Sequence, residues 1–238
     1  MPLHVPPAPA PALRSIRAAL RSPAALRSAP APALVQPAAN PPQSQLPLPV
    51  YEMPCRGGVL DRAGTRLTGW RFPLYDGSDA GHEGAEQDAA ADGDRGRVGD
   101  GGDRGGRGDR GSAAATGSPV AAEAMLTADG WAFAGFRTGP YVLAAQRALR
   151  QAESVPGGHQ PRLLSVPQLY MLTLWLHADA GADADADDAA GTPGAADLLI
   201  PLAPAPPGIA SHTPHRVDAL LPALSRRVAA ASLLAGTG

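Results

Sequence analysis

The sequence predicts an α+β fold: a small antiparallel sheet built from hairpins, with two helices on one face and extensive disordered segments around it. Two observations lead to this prediction. The large apolar and aromatic residues occur in a few short windows bounded by turn residues. Between them the chain is dominated by small and polar residues, with 28 Gly and 27 Pro in 238 residues, and such segments bury too little apolar surface to offset the entropy of ordering.

The composition divides the chain into a tail and one interrupted domain. Residues 1–49 are predicted to be a disordered Pro/Ala-rich tail, basic because it contains arginines and no acidic residue. An organelle-targeting leader or a mis-assigned start stays as an alternative interpretation. Residues 50–235 are predicted to form a single α+β domain. A disordered Gly/Asp/Arg insertion at 76–119 and an acidic loop at 179–196 are expected to interrupt it.

Two windows predict β-hairpins. Residues 58–72 contain two short runs around the turn at 61–64, and residues 126–137 repeat this pattern without gaps. Four positions are identical between the copies. We interpret the repeat as two hairpins with the same turn requirements, and keep a weak internal duplication as the alternative.

A helix is predicted to begin at Gly139-Pro140 and to end before Pro156, because an apolar stripe follows a proline suited to a first helical turn. A last helix is predicted to be capped by Thr213 and to begin at Pro214. Its apolar positions indicate a face packed on the core.

The run from Leu169 to Leu176 is ambiguous. Its length and apolar character favour a buried strand, whereas a capping-box pattern, Ser165 followed by Gln168, favours a helix. We predict a strand, because a second apolar run, Asp197 to Leu202, can pair with it as an antiparallel hairpin.

The absence of lysine excludes several enzyme classes. All 20 basic residues are arginine. Walker-type nucleotide binding, pyridoxal Schiff-base chemistry, protein-kinase catalysis and Ser-x-x-Lys hydrolysis all require a lysine. No cofactor is predicted for this chain.

Nucleic-acid and membrane binding are also disfavoured. The Arg-Gly tract at 92–111 contains equal numbers of Asp and Arg and no aromatic residue, so it neither neutralises phosphates nor stacks on bases. The longest apolar stretch, Leu169 to Leu176, is shorter than the roughly 20 residues of a membrane-spanning helix. A single cysteine excludes an intrachain disulfide, and a cytoplasmic location is the default expectation.

Two groups of residues suggest chemistry, each with a simpler alternative. Cys55 beside Arg56 resembles an activated thiol, but no spacing links it to a base such as His177, and a small buried cysteine is favoured. His212 and His215, followed by Asp218, resemble a partial zinc site; a surface histidine pair is favoured, so no metal is predicted.

One other short motif does not meet its structural requirements. The spacing of Asp183, Asp185 and Asp187 copies the start of a calcium loop. Asp188 and Gly194 stand where such a loop needs Gly and Glu, so a calcium site of this type is excluded.

These observations predict a non-enzymatic protein-interaction or accessory module. The alternative is a hydrolase that uses Cys55 with a histidine, or a zinc site at His212/His215. Because Leu169–Leu176 is apolar on both alternating sides, both sides must be covered, by the same domain or by a protein partner. Trp175 and nearby Tyr170 are the predicted interaction surface, with catalytic residues unknown.

Overall fold

The computed structural model of the chain describes residues 3–29, 43–44, 46–75, 119–178 and 191–235. The described residues form helices α1 (Ala10–Leu20), α2 (Pro23–Arg27), α3 (Pro140–Ala152) and α4 (Val217–Ala235). The strands are β1 (Gln43–Ser44), β2 (Leu48–Glu52), β3 (Cys55–Arg56), β4 (Val59–Leu60), β5 (Arg66–Tyr75), β6 (Val120–Thr127), β7 (Gly130–Arg137), β8 (His159–Val166), β9 (Met171–Ala178), β10 (Leu198–Pro201) and β11 (His215–Arg216).

Within the described ranges, nine strands form one sheet in the order β11-β10-β9-β8-β2-β5-β6-β7, with β1 beside β5. Neighbouring strands are antiparallel except for β2 and β8, which run parallel with Val50 opposite Leu163. The predicted mixture of helices and strands is confirmed. The predicted small antiparallel sheet is wrong, because β5 and β8 connect the hairpins into one large mixed sheet.

Helices cover both faces of the sheet, which corrects the predicted arrangement on one face. Leu163 and Leu174, which are opposite each other on β8 and β9, pack with the alanines of α3; we name this side the α3 face. Leu164 and Trp175 point to the other side, the α4 face, and pack with the apolar residues of α4. This follows from the pleat, because alternate residues of a strand point to opposite faces and β9 is apolar on both.

The N-terminal residues differ from the predicted disordered tail at 1–49. Residues 10–20 and 23–27 are helical, and the fully buried Ala12 and Ile16 pack with Phe72 of β5 in one core cluster. Ala is the strongest helix former, so a segment rich in Ala can fold once an apolar stripe finds a surface to cover. The folded region therefore begins before residue 50, and β2 itself begins at Leu48.

One predicted hairpin is confirmed and the other has different partners. In the confirmed hairpin, β6 and β7 pair around a two-residue turn, with Thr127 opposite Gly130. Residues 58–72 do not pair with themselves. Gly57 and Gly58 adopt positive φ angles of 59° and 77°, and this turn pairs Cys55 with Leu60 instead. The following long strand, β5, pairs with β2 and β6.

The C-terminal predictions are largely confirmed. β9 is a strand and pairs antiparallel with β10, and α3 begins at Pro140 and ends at Ala152. The last helix begins at Val217 instead of Pro214, because His215 pairs with Leu199 as part of a short edge strand. Of the predicted insertion at 76–119 and the predicted loop at 179–196, residues 76–118 and 179–190 lie outside the described residues, whereas 119 and 191–196 belong to the described chain.

Candidate functional site

A concave surface lies between the exposed side of α3 and the loop at 203–212 that follows β10; we name it the α3 groove. Its volume is about 560 Å³. Pro140, Leu143, Arg147 and Arg150 line it from the helix, with Ala144 beneath them. These four positions are spaced by three or four residues, so they form one stripe along the helix. The groove therefore runs parallel to the axis of α3.

The opposite wall of the groove consists of Ala203, Pro204 and His212. Tyr141 connects this wall to the helix, because its hydroxyl oxygen lies 3.0 Å from the carbonyl oxygen of Pro204. The other end of the loop is fixed where the backbone N–H of His212 donates to the carbonyl oxygen of Pro201 at 2.8 Å. Both walls are thus attached to the same core, as expected of a preformed binding site.

Leu143 is an exposed apolar side chain that lines the groove, and the backbone of the exposed Tyr170 contacts α3. Leu143 on α3 is 55% exposed, and Tyr170 is 89% exposed. Tyr170 follows a short 3-10 turn, Pro167–Leu169, and adopts a left-handed conformation with φ 48°. Its carbonyl oxygen accepts a hydrogen bond from the hydroxyl of Tyr141, the side chain that also contacts the Pro204 wall. The backbone of Tyr170 therefore lies near the N-terminal end of α3.

The other end of the groove is basic. Arg147 and Arg150 are exposed on α3, and neither forms an ion pair within the described residues. Partial burial and the positive charge of Arg147 hold the pKa of His212 below its ordinary value. The groove consequently joins an apolar half to a cationic half.

A different polar centre lies in the interior, around Asp197, which is only 2% exposed. Its carboxylate accepts hydrogen bonds from the indole N–H of Trp175 at 2.7 Å and from the backbone N–H groups of Ala178 at 2.9 Å and Gly194 at 2.7 Å. Nδ1 of His177 lies 3.1 Å away. Burial alone would raise the pKa of Asp197, but these hydrogen bonds outweigh it and hold the pKa below its ordinary value.

The buried His177–Asp197 pair resembles the base and orienting acid of a hydrolase, which also needs a nucleophile within hydrogen-bonding distance. Within the described residues, His177 hydrogen-bonds only to Asp197. Cys55, the nucleophile suggested by the sequence, is half-buried against the core under α4, and its thiol makes no hydrogen bond in the described part of the chain. The centre around Asp197 is therefore assigned a structural role.

The structure does not bring together the histidines of the suggested zinc site. His212 lines the groove on the α3 side, whereas His215 lies opposite Leu199, whose side chain belongs to the core under α4. Oδ1 of Asp218, the third suggested ligand, lies 3.9 Å from Nε of Arg216. Across the described ranges, no group of three or more His, Cys, Asp or Glu residues is arranged to hold a metal ion.

The two residues predicted as an interaction surface differ in their exposure to solvent. Tyr170 is the most exposed of the large apolar side chains described. Trp175 is fully buried at 0% exposure, and its ring packs edge-to-face on Tyr51 at 5.2 Å. The prediction is therefore wrong for Trp175, because α4 and the neighbouring strands already cover its side of β9.

Sequence reasoning did not identify Leu143, Arg147, Arg150 or His212 as parts of one site. The spacing of Leu143, Arg147 and Arg150 on the predicted helix was the available signal for a mixed apolar and basic stripe. The loop that completes the groove approaches α3 only through the tertiary fold.

Comparisons with protein-family models, curated proteins and solved structures find no match for this chain. Within the residues that the structure describes, none of the helices is both long enough and apolar enough to cross a membrane.

Proposed function

We propose that this protein is a non-enzymatic interaction module that binds an extended segment of a partner protein in the α3 groove. The observation that supports it best is the exposed apolar side chain of Leu143 in a groove whose two walls are attached to one core. Exposed apolar groups that adjoin a preformed concavity are typical of recognition sites.

The groove has the dimensions of a short peptide. From Pro140 to Arg150 the helix rises by about 15 Å at 1.5 Å per residue. An extended chain covers that distance with roughly five residues at about 3.3 Å each. A partner segment of this length can bury Leu143, and full burial of a leucine side chain contributes about 2 kcal/mol.

The side chains of the groove favour binding over catalysis. The titratable residues described along it are Arg147, Arg150 and His212, all of them basic. A carboxylate or a thiol that could act as an acid or a nucleophile is not among its lining residues within the described chain. Side chains of this kind hold a ligand by charge and apolar contact, without a group that attacks it.

Selection of peptides from a random phage-displayed library tests the proposal. The full chain serves as the target, and a Leu143→Asp variant is used for counter-selection. Leu126→Asp is the matched control, because Leu126 is 48% exposed on β6, away from the groove. We expect selected peptides to bind the wild type and the control and to lose affinity for the Leu143 variant. If the selected peptides bind both variants equally, or if no peptide is enriched, the proposal is wrong.

A further inference from the structure

We infer that the segment bound in the α3 groove is acidic, with an apolar side chain near Leu143 and carboxylates on Arg147 and Arg150. This inference rests on the proposed function and adds the chemistry of the partner. The apolar half of the groove selects the apolar side chain of the segment, and the basic half selects its carboxylates.

The basic half of the groove lacks the counter-charges found elsewhere in the molecule. On the sheet, Arg71 and Arg137 both donate to Glu123, at distances of 2.6–2.9 Å. Arg147 and Arg150 lie three residues apart on α3, both exposed, with no ion pair among the described residues. Like charges at this spacing on a helix repel each other. Binding of carboxylates removes that repulsion and adds charge-assisted hydrogen bonds.

His212 lies on the opposite wall of the groove, where a bound anion would change its protonation. It faces Arg147, and burial together with that charge lowers its pKa. A carboxylate placed between the two would reverse the charge environment of the imidazole and favour its protonated form. An anion in the groove is therefore stabilised from both walls.

The spacing along α3 sets the order of side chains in the ligand. Arg147 and Arg150 lie about 6 and 10 Å along the axis from Leu143, at 1.5 Å per residue. In an extended peptide, side chains two residues apart point to the same side and are separated by about 7 Å. A leucine followed by glutamates two and four residues later matches this arrangement, and the flexible arginine side chains accommodate the remaining difference.

A peptide fits the groove better than a nucleic acid. The two arginines occupy one half of the site, and the other half is formed by Pro140, Leu143 and Pro204. A phosphate backbone needs a continuous basic path, because its affinity comes from the number of neutralised phosphates. Apolar surface beside a pair of arginines suits an apolar side chain followed by carboxylates.

The test uses fluorescein-labelled peptides and the full chain, with binding measured by fluorescence anisotropy at low and at moderate salt. The probes are Leu-Gly-Glu-Gly-Glu, its reversed sequence, and the neutral Leu-Gly-Gln-Gly-Gln; an oligothymidylate of similar charge is included. The variant is Arg147→Gln with Arg150→Gln. The matched control is Arg14→Gln with Arg17→Gln, since Arg14 and Arg17 are an exposed pair with the same spacing on α1.

We expect one of the acidic peptides to bind at least about tenfold more tightly than the neutral peptide, and salt to weaken it. The α3 double variant should abolish that difference and the α1 double variant should keep it. Equal binding of acidic and neutral peptides overturns this inference and leaves the proposed function intact. Tighter binding of the oligonucleotide through Arg147 and Arg150 also overturns it. If no peptide binds and the phage selection yields no binder, the proposed function itself fails.

Discussion

Asp197 accepts a hydrogen bond from the indole N–H of Trp175 at 2.7 Å, with both side chains buried. This contact joins β9 to the residues just before β10. The backbone carbonyl of Asp197 also accepts from Val217 at the start of α4 at 3.3 Å. Asp197 therefore helps to fix β9, the strand that lies between the layers of α3 and α4.

Replacement of Asp197 tests this structural role. Asp197→Ala leaves the buried N–H groups of Trp175, Ala178 and Gly194 without their acceptor, and each unsatisfied donor costs about 1–3 kcal/mol. We expect a loss of at least about 2 kcal/mol in the free energy of unfolding, measured by urea denaturation. Glu52→Ala, which breaks an exposed pair with Arg66, is the control and should change stability by less than about 1 kcal/mol. Equal losses of unfolding free energy in the Asp197→Ala and Glu52→Ala variants would refute the structural role of Asp197.

The pH dependence of stability follows from the same carboxylate. Its folded pKa is lower than the unfolded value, so the unfolded chain binds the proton more tightly. The contribution of Asp197 is present above the unfolded pKa and is lost as pH falls through the folded pKa. Unfolding of the wild type and of Asp197→Asn, measured from pH 7 to pH 2.5, should show the stability difference shrinking toward acid. A constant difference over that range contradicts the prediction.

Protonation of His212 should also destabilise the fold, but in a higher pH range than protonation of Asp197. The folded pKa of His212 lies below the unfolded value, so the unfolded chain takes up more protons as pH falls below about 6.5. We expect wild-type stability relative to His212→Asn to decrease between pH 7.5 and pH 5.5. Asparagine is the suitable replacement, because it tolerates the positive φ of 58° at this position. A pH-independent difference would contradict this.

The packing of α1 predicts that the N-terminal helix belongs to the folded domain. Ile16 is 2% exposed against Phe72, and Ile16→Ala should lower the free energy of unfolding by about 3 kcal/mol. Arg17→Ala, on the exposed side of the same helix, should change it by less than about 0.5 kcal/mol. Protection of residues 10–20 from proteolysis provides an independent check. Early cleavage within residues 10–20, together with an Ile16→Ala variant whose free energy of unfolding equals that of the wild type, would show that α1 does not pack on the sheet.

Substitutions on either side of Tyr170 and β9 separate the surface from the core. Leu174 and Trp175 are both fully buried, so Leu174→Asp and Trp175→Asp should each unfold the domain. Tyr170→Asp should remain folded, because the Tyr170 side chain projects into solvent. We expect it to weaken peptide binding, because the Tyr170 backbone and the Pro204 wall both contact the hydroxyl of Tyr141. Circular dichroism and thermal unfolding distinguish the three variants. A Trp175→Asp protein that stays folded would contradict the burial of Trp175 and support its assignment to the interaction surface.

Local patterns explain which parts of the fold the sequence predicts. The turn between β6 and β7, the proline at the start of α3 and the pairing of β9 with β10 all depend on neighbouring residues, and all three predictions are confirmed. The parallel contact of β2 with β8 joins Val50 to Leu163 across more than a hundred residues, which no local pattern reveals.

The same distinction applies to the candidate site. Tyr170 belongs to the predicted interaction surface and is 89% exposed, and its role there stays a prediction. Trp175 could not be placed from alternation, because both sides of β9 are apolar and the covering helix α4 begins some forty residues later. The groove joins α3 to a loop more than fifty residues away, so only the tertiary structure shows it.

Nuclear magnetic resonance mapping of the bound peptide tests the central claim most directly. The tightest peptide from the phage selection is titrated into the full ¹⁵N-labelled chain, and backbone amide shifts are followed. We predict that the largest shift changes occur in residues 141–150 and 203–212, and that they disappear in the Leu143→Asp variant while the Leu126→Asp variant retains them. Shift changes concentrated on the β6–β7 hairpin, or unchanged by Leu143→Asp, would contradict the assignment of the α3 groove as the binding site.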